Sequence, residues 1–164
     1  MAQRDELALL PLIEAQAGER LRGHRAAAVF AASPTEPALF EQAWQHGMLW
    51  VVVSEDALAG YLMAGVLGED FHIQQMDVAP AHGRKGLGRA LLRHALQQAR
   101  ASGHRRAVLT TLSDVAWNAP FYASEGFSEW PAHAWSTGMR EVMAAEAAAG
   151  FPMELRLAMQ RTLE

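Results

Sequence analysis

The feature that most restricts the fold of this chain is a strand, a glycine loop, a helix and a second strand in immediate succession between residues 71 and 112. FHIQQMDV at 71–78 and RRAVLTTL at 105–112 are strand-like, partly β-branched or aromatic. Between them, Leu91, Leu92, Ala95, Leu96 and Ala99 fall on one face of a helix over about 88–101, with Gly103 placed to cap its C-terminus. A helical crossover between two strands of one sheet makes those strands parallel. Upstream, MLWVVVSE at 48–55 and ALAGYLMAGVLG at 57–68 reach 71–78 through short polar or glycine turns, which predicts an antiparallel meander. A meander feeding a crossover gives a mixed sheet.

The remaining segments supply its cover. Leu7, Leu10, Ile13, Ala17 and Leu21 predict a helix over 5–20, RGHRAAAVFAASPTEP at 22–37 reads as a long loop, and a second helix follows over 37–46. WNAPFYASEGF predicts a short helix ending at Gly126, then a strand near 127–130, an alanine-rich helix over 137–149 and a last strand over 153–163. The expected class is α/β (α+β), a mixed and mostly antiparallel sheet flanked by helices. With 164 residues and no repeat or linker, one domain spanning 1–164 is expected.

Charge and composition narrow the partners. The formal charge of −4 offers no basic field for a nucleic-acid backbone. With no cysteine, disulfide scaffolds, thiolate zinc sites and cysteine nucleophiles are excluded, and no metal is expected. The N-terminal stretch lacks the basic start and unbroken apolar centre of a signal peptide, and no segment reaches the roughly 18 apolar residues of a spanning helix. The expected setting is cytoplasmic, away from membranes and nucleic acids.

HGRKGLGRAL at 82–91 packs three glycines and three cations against a helix start. Backbone N–H groups converge there on the positive end of a helix dipole, which suits an anion such as a phosphate; the plain alternative is a turn between strand and helix. GxxxxGK[ST] does not occur, and GxGxxG fails because Leu91 stands three places after Gly88. What remains is a short loop with Gly86 and Gly88, preceded by Arg84 and Lys85, able to cradle a pyrophosphate with Arg89 adding charge. A second string, NAPFYASEGF at 118–127, puts an amide, two aromatic rings and a phenol on one short helix that could line a cofactor's arm.

MDVAPAHGRKGLGRALL followed by WNAPFYASEGF resembles the GCN5-related N-acetyltransferase (GNAT) family, and the order of elements resembles it over nearly the whole chain. The resemblance implies a splayed parallel strand pair at the centre of the sheet. It further implies transfer of acetyl from acetyl-coenzyme A to a primary amine of a small molecule or peptide, by direct attack in a ternary complex. The family pattern Q/R-x-x-G-x-G/A falls on Gly83, Arg84, Lys85, Gly86, Leu87 and Gly88, with Gly83 departing from its first position. Phosphate binding is thereby implied for these residues and Arg89, pantetheine pairing for the main chain of Met76, Asp77 and Val78, and a coenzyme contact for Asn118, with Phe121 beside it. Tyr122 resembles the phenol that protonates the departing thiolate.

Many relatives place a Glu on the strand before the loop as general base, and Gln74 occupies that slot here. Glutamine cannot accept the proton. His72 shares the strand face of Gln74 and titrates near neutrality; Asp77, on the other face, and a water chain are the alternatives. His24, Arg25, Phe30, Trp44 and Trp135 are candidate linings of an acceptor pocket, each equally readable as loop solvation or core packing. Two further functions compete: a coenzyme-binding sensor or interaction module without transfer, and a loop that binds some other phosphate ligand. A homodimer fits the family resemblance.

Overall fold

The computed structural model describes residues 1–164. Strands β1 (Leu49–Ser54), β2 (Ala57–Leu67) and β3 (Asp70–Val78) form the expected meander. Glu55 and Asp56 link the first two with φ of 53° and 60°, left-handed at both positions as a tight hairpin turn requires. After helix α4 (Leu87–Ala101), strand β4 (Arg106–Leu112) lies parallel to β3 at Phe71↔Ala107 and His72↔Val108. Strand β6 (Arg156–Thr162) pairs antiparallel with β4 from Arg106↔Thr162 to Leu112↔Arg156, and β5 (Ser128–Glu129) closes the order β1-β2-β3-β4-β6-β5. This is the mixed, mostly antiparallel sheet with one parallel pair that the crossover predicts.

The helices depart from expectation at prolines and alanines. The segment read as one helix over 5–20 is a 3-10 turn at Arg4–Leu9, then α1 (Leu10–Gly18), then a 3-10 turn at Glu19–Leu21. Pro11 lies in the first turn of α1, where its missing N–H is harmless but where an uninterrupted helix could not pass. The long loop at 22–37 contains α2 (Ala27–Ala32), built from the alanine-rich AAVFAA. Helix α3 (Pro37–Gln45) matches its prediction. Helix α5 is shorter than expected, Ala119–Ser124, with proline at its start. Helix α6 (Thr137–Ala149) begins at Ser136, whose hydroxyl accepts from the Met139 N–H, and ends at Gly150 with φ 95°. The last strand begins at Arg156, after a 3-10 turn over Met153–Leu155.

Contacts divide the chain into two compact units: Met1–Gly65 with Ile73–Gln98, and Val66–His72 with Ala99–Glu164. In the first, Leu10 and Ile13 of α1 and Phe40 and Ala43 of α3 bury against Leu49, Tyr61 and Met63 of the strands. Burial of such side chains contributes about 1.5–3 kcal/mol each. In the second, Trp130, Met139 and Met143 pack on Val108 and Ala158. Two ion pairs stiffen this unit, one part-exposed and one buried. Arg106 donates twice to Asp70 at 2.8 Å while lying 4.3 Å from the centre of the Trp130 ring. Arg156 binds Glu146 with both side chains nearly excluded from water. No helix is long and apolar enough to cross a membrane.

Candidate active site

The glycine loop lies wholly in the first unit. Pro80–His82 forms a 3-10 turn, Gly83 is extended, and Arg84 and Gly86 are left-handed with φ of 61° and 75°. Helix α4 follows at once, its first backbone bond running from Ala90 N–H to the Gly86 carbonyl at 3.0 Å. Left-handed residues alternating with others turn successive N–H groups to one side, and the first N–H groups of a helix have no partner within it. A side chain at Gly86 would meet nothing within 4 Å, so the approach is open, while one at Gly88 would reach Val78 and Met76 at 3.7 and 3.8 Å. Holding Arg84 left-handed costs about 1 kcal/mol. Such strain is tolerated where a local geometry is needed. Lys85 is tied to Glu55 of the hairpin turn at 2.8 Å, and that bond holds the Glu55 carboxyl below its ordinary range. Nothing in the sequence announces this pair, 30 positions apart.

Strand β3 presents two faces. Met76 and Val78 point toward Gly88 at the start of α4. Their main-chain groups turn to the edge away from β2, because the Asp77 carbonyl and the Ala79 N–H turn toward β2: a Cβ on Gly60 would lie 2.7 Å from the Asp77 oxygen, and Ala79 N–H bonds the Ala59 carbonyl at 2.8 Å. Of the three main-chain positions expected along a coenzyme arm, Met76 and Val78 therefore present free-edge groups and Asp77 faces β2. The Gln74 amide lies against Gly65, where an added Cβ would come within 2.8 Å of its nitrogen.

The Asp77 side chain faces the other way, into a polar cluster that sequence reading did not assemble. Tyr61 O–H donates to Asp77 Oδ2 at 2.8 Å and lies 3.3 Å from Glu14 Oε2. Gln75 Nε2 donates to the same Asp77 oxygen at 2.8 Å, and the Thr35 N–H and hydroxyl both donate to Glu14. Burial raises Asp77 from 3.8 to about 6, with the Glu14 charge adding to the rise and the two hydrogen bonds opposing it. Tyr61 is pushed well above its ordinary value by burial and by the two carboxylates. The available signal was a phenol at the centre of an apolar strand, since a buried Tyr hydroxyl needs a partner. Burial also lowers His72, from 6.5 to about 4, leaving it neutral at pH 7 but a weak proton acceptor.

In the second unit, Asn118 stands before α5 and accepts from the buried Thr111 hydroxyl at 2.8 Å, which turns its amide NH₂ elsewhere. Four residues on, Tyr122 is 8% exposed, its ring edge-on to Phe121 at 5.2 Å and to Phe127 at 5.7 Å. The phenol is thus held by its ring. Among the acceptor-pocket candidates, Trp44 donates to the Ala2 carbonyl and packs on the first core, and Trp135 donates to the Trp130 carbonyl and packs on the second. His24 Nδ1 accepts from the Ala26 N–H just before α2, Arg25 is exposed and Phe30 half-buried. No group of three or more His, Asp or Glu is arranged to hold a metal ion.

A sequence model of the acetyltransferase (GNAT) family matches residues 18–127. Solved structures are similar over nearly the full chain. The ribosomal-protein-S18-alanine N-acetyltransferase of Escherichia coli is 19% identical with a TM-score of 0.66, over 99% of this chain and 91% of that one. The PaiA N-acetyltransferase of Thermoplasma acidophilum, solved with coenzyme A, is 12% identical with a TM-score of 0.71, over 96% and 93%. A GNAT-family acetyltransferase from Staphylococcus aureus Mu50 is 13% identical with a TM-score of 0.74, over 99% and 96%.

Proposed function

Since this chain belongs to the GNAT family of acetyltransferases, we propose that it transfers acetyl from acetyl-coenzyme A to a primary amine of a small molecule or peptide, by direct attack in a ternary complex. The observation that carries the reading is the loop at 83–88, where left-handed Arg84 and Gly86 run straight into the N-terminus of α4 with open space at Gly86. That geometry fits the pyrophosphate of the coenzyme. Gly83 contributes backbone where the family pattern carries a side chain, and Arg84, Lys85 and Arg89 supply charge, Lys85 from its tether on Glu55.

In this reading the main chain of Met76 and Val78 pairs with the pantetheine arm, with Asp77 between them. Asn118, its carbonyl held by Thr111, offers its NH₂ to an amide oxygen of the coenzyme, and Phe121 lies on the short helix that follows it. Acetyl-coenzyme A supplies an activated thioester. Tyr122 gives its phenolic proton to the departing sulfur, its ring fixed by Phe121 and Phe127. The amine must lose a proton before attacking, and the candidates on β3 for this are His72 and Asp77, Asp70 being paired with Arg106. We further propose that the whole chain works as one catalytic domain in the cytoplasm; cell fractionation tests the location, and light scattering tests for a homodimer.

The experiment is thiol release from acetyl-coenzyme A across a panel of small amines, peptide N-termini and lysine peptides. Amine-dependent release that falls at least 100-fold in Tyr122→Phe is expected. Coenzyme binding without release on any acceptor would contradict transfer and favour a sensor. Displacement by ADP as strong as by coenzyme A would favour another phosphate ligand.

A further inference from the structure

Asp77 occupies an unusual position. Its neighbours Met76 and Val78 carry the main-chain groups assigned above to the coenzyme arm, while its own carboxylate lies on the opposite face of β3, among groups from α1, β2 and the segment that holds Thr35. Asp77 is part-buried as a residue, and its carboxylate is largely withdrawn from water. The hydrogen bonds that Tyr61 and Gln75 donate to that carboxylate both end on Oδ2, which leaves Oδ1 to receive a proton. The charged group bearing on it is Glu14, of the same sign, joined to it through the Tyr61 hydroxyl. Two carboxylates sharing one phenol resist double ionisation and favour taking up a proton.

We propose that Asp77 is the catalytic residue that takes the proton from the acceptor's ammonium group, with Tyr61 and Glu14 as positioning residues that hold its carboxylate and set its basicity. The step balances simply. An ammonium N–H bond breaks, an O–H bond forms at Asp77 Oδ1, and the freed lone pair attacks the thioester carbonyl. The carboxyl group then returns its proton to solvent. The inference rests on the acetyl-transfer reading above. It names Asp77 in preference to His72 because the imidazole, neutral with a value near 4, accepts an ammonium proton less readily than a carboxylate raised to about 6.

The test is the pH profile of amine-dependent thiol release for the wild type and three variants, beside the rise in Tm that acetyl-coenzyme A produces in each. Asp77→Asn is expected to lower kcat by about 100-fold or more while keeping the coenzyme-induced rise in Tm. Glu14→Gln removes the like charge and should move the acid limb of kcat/KM to lower pH. Tyr61→Phe removes a hydrogen bond that favours the ionised form and should move it to higher pH. A purely structural cluster would not shift the two limbs in opposite directions. An active wild type whose Asp77→Asn variant keeps its kcat, or limbs that move together or not at all, overturns this inference and leaves the acetyl-transfer reading standing. A wild type that releases no thiol on any amine overturns both.

Discussion

Asp77 and His72 pull the stability of this protein in opposite directions over the same pH range, and separating them is a demanding check on the environment of β3. Asp77 has its folded value raised from 3.8 to about 6, so the stability it contributes is full below about pH 4 and is lost as pH rises through 6. His72 has its folded value lowered from 6.5 to about 4, so its penalty is present in acid and disappears as pH rises through 6.5. Each displacement corresponds to about 3 kcal/mol. In the wild type the two slopes nearly cancel. Asp77→Asn keeps an oxygen for Tyr61 and Gln75 and removes only the charge. It should therefore gain about 2 kcal/mol over the wild type at pH 7.5, allowing about 1 kcal/mol for an imperfectly paired NH₂, and gain nothing at pH 4. His72→Gln should show the reverse tilt, gaining in acid and not at pH 7.5. Urea unfolding of both variants and the wild type at half-unit steps from pH 4 to 7.5 reads the differences directly. A variant-minus-wild-type difference for Asp77→Asn that is flat with pH, or negative at pH 7.5, would refute the argument that this carboxylate is held ionised at a cost.

Other substitutions probe separate parts of the account. Gly86→Ala forces a Cβ onto a residue with φ 75° and should lower stability by about 1 kcal/mol in thermal unfolding while weakening acetyl-coenzyme A binding. Gly88→Ala meets only ordinary contacts at 3.7 and 3.8 Å, so its Tm should stay within 2–3 °C of wild type, a change of roughly 1 kcal/mol or less for this length; a larger loss would mean the α4 junction is tighter than described. Glu146→Gln leaves the Arg156 guanidinium buried beside a neutral amide and should cost about 3–5 kcal/mol in urea unfolding, with a loss under 1 kcal/mol contradicting the burial of that pair. Thr111→Val removes the hydroxyl that orients Asn118 and should raise KM for acetyl-coenzyme A several-fold with kcat little changed, and Thr111→Ser should restore it.

The strand and loop order was legible because period and punctuation agree there. The apolar runs at 48–78 are broken only by turn residues, the stripe from Leu91 to Ala99 keeps helical spacing, and a helix between strands admits only the parallel arrangement. Helix α2 was hidden because six residues between a glycine-containing turn and a proline-rich stretch carry no capping side chain and too little length for a period to show. The break in the first helix followed from Pro11, whose ring suits a helix start and opposes a helix interior. At the site, the glycine loop and the NAPFY string are local and could be read directly. The Glu14–Tyr61–Asp77 cluster joins residues 47 and 16 positions apart, and the Lys85–Glu55 pair spans 30, so both exist only once the strands are registered.

The most direct measurement of the central claim is thermal unfolding of the purified protein with saturating acetyl-coenzyme A, with ADP as the control. Ligand at about 100 times its dissociation constant stabilises a single site by about 2.7 kcal/mol, roughly 5–10 °C for a chain of this length. The account predicts that rise with acetyl-coenzyme A, little change with ADP, and a reduced rise in Gly86→Ala. No rise with the coenzyme, or an equal rise with ADP, would contradict a coenzyme site on residues 83–88.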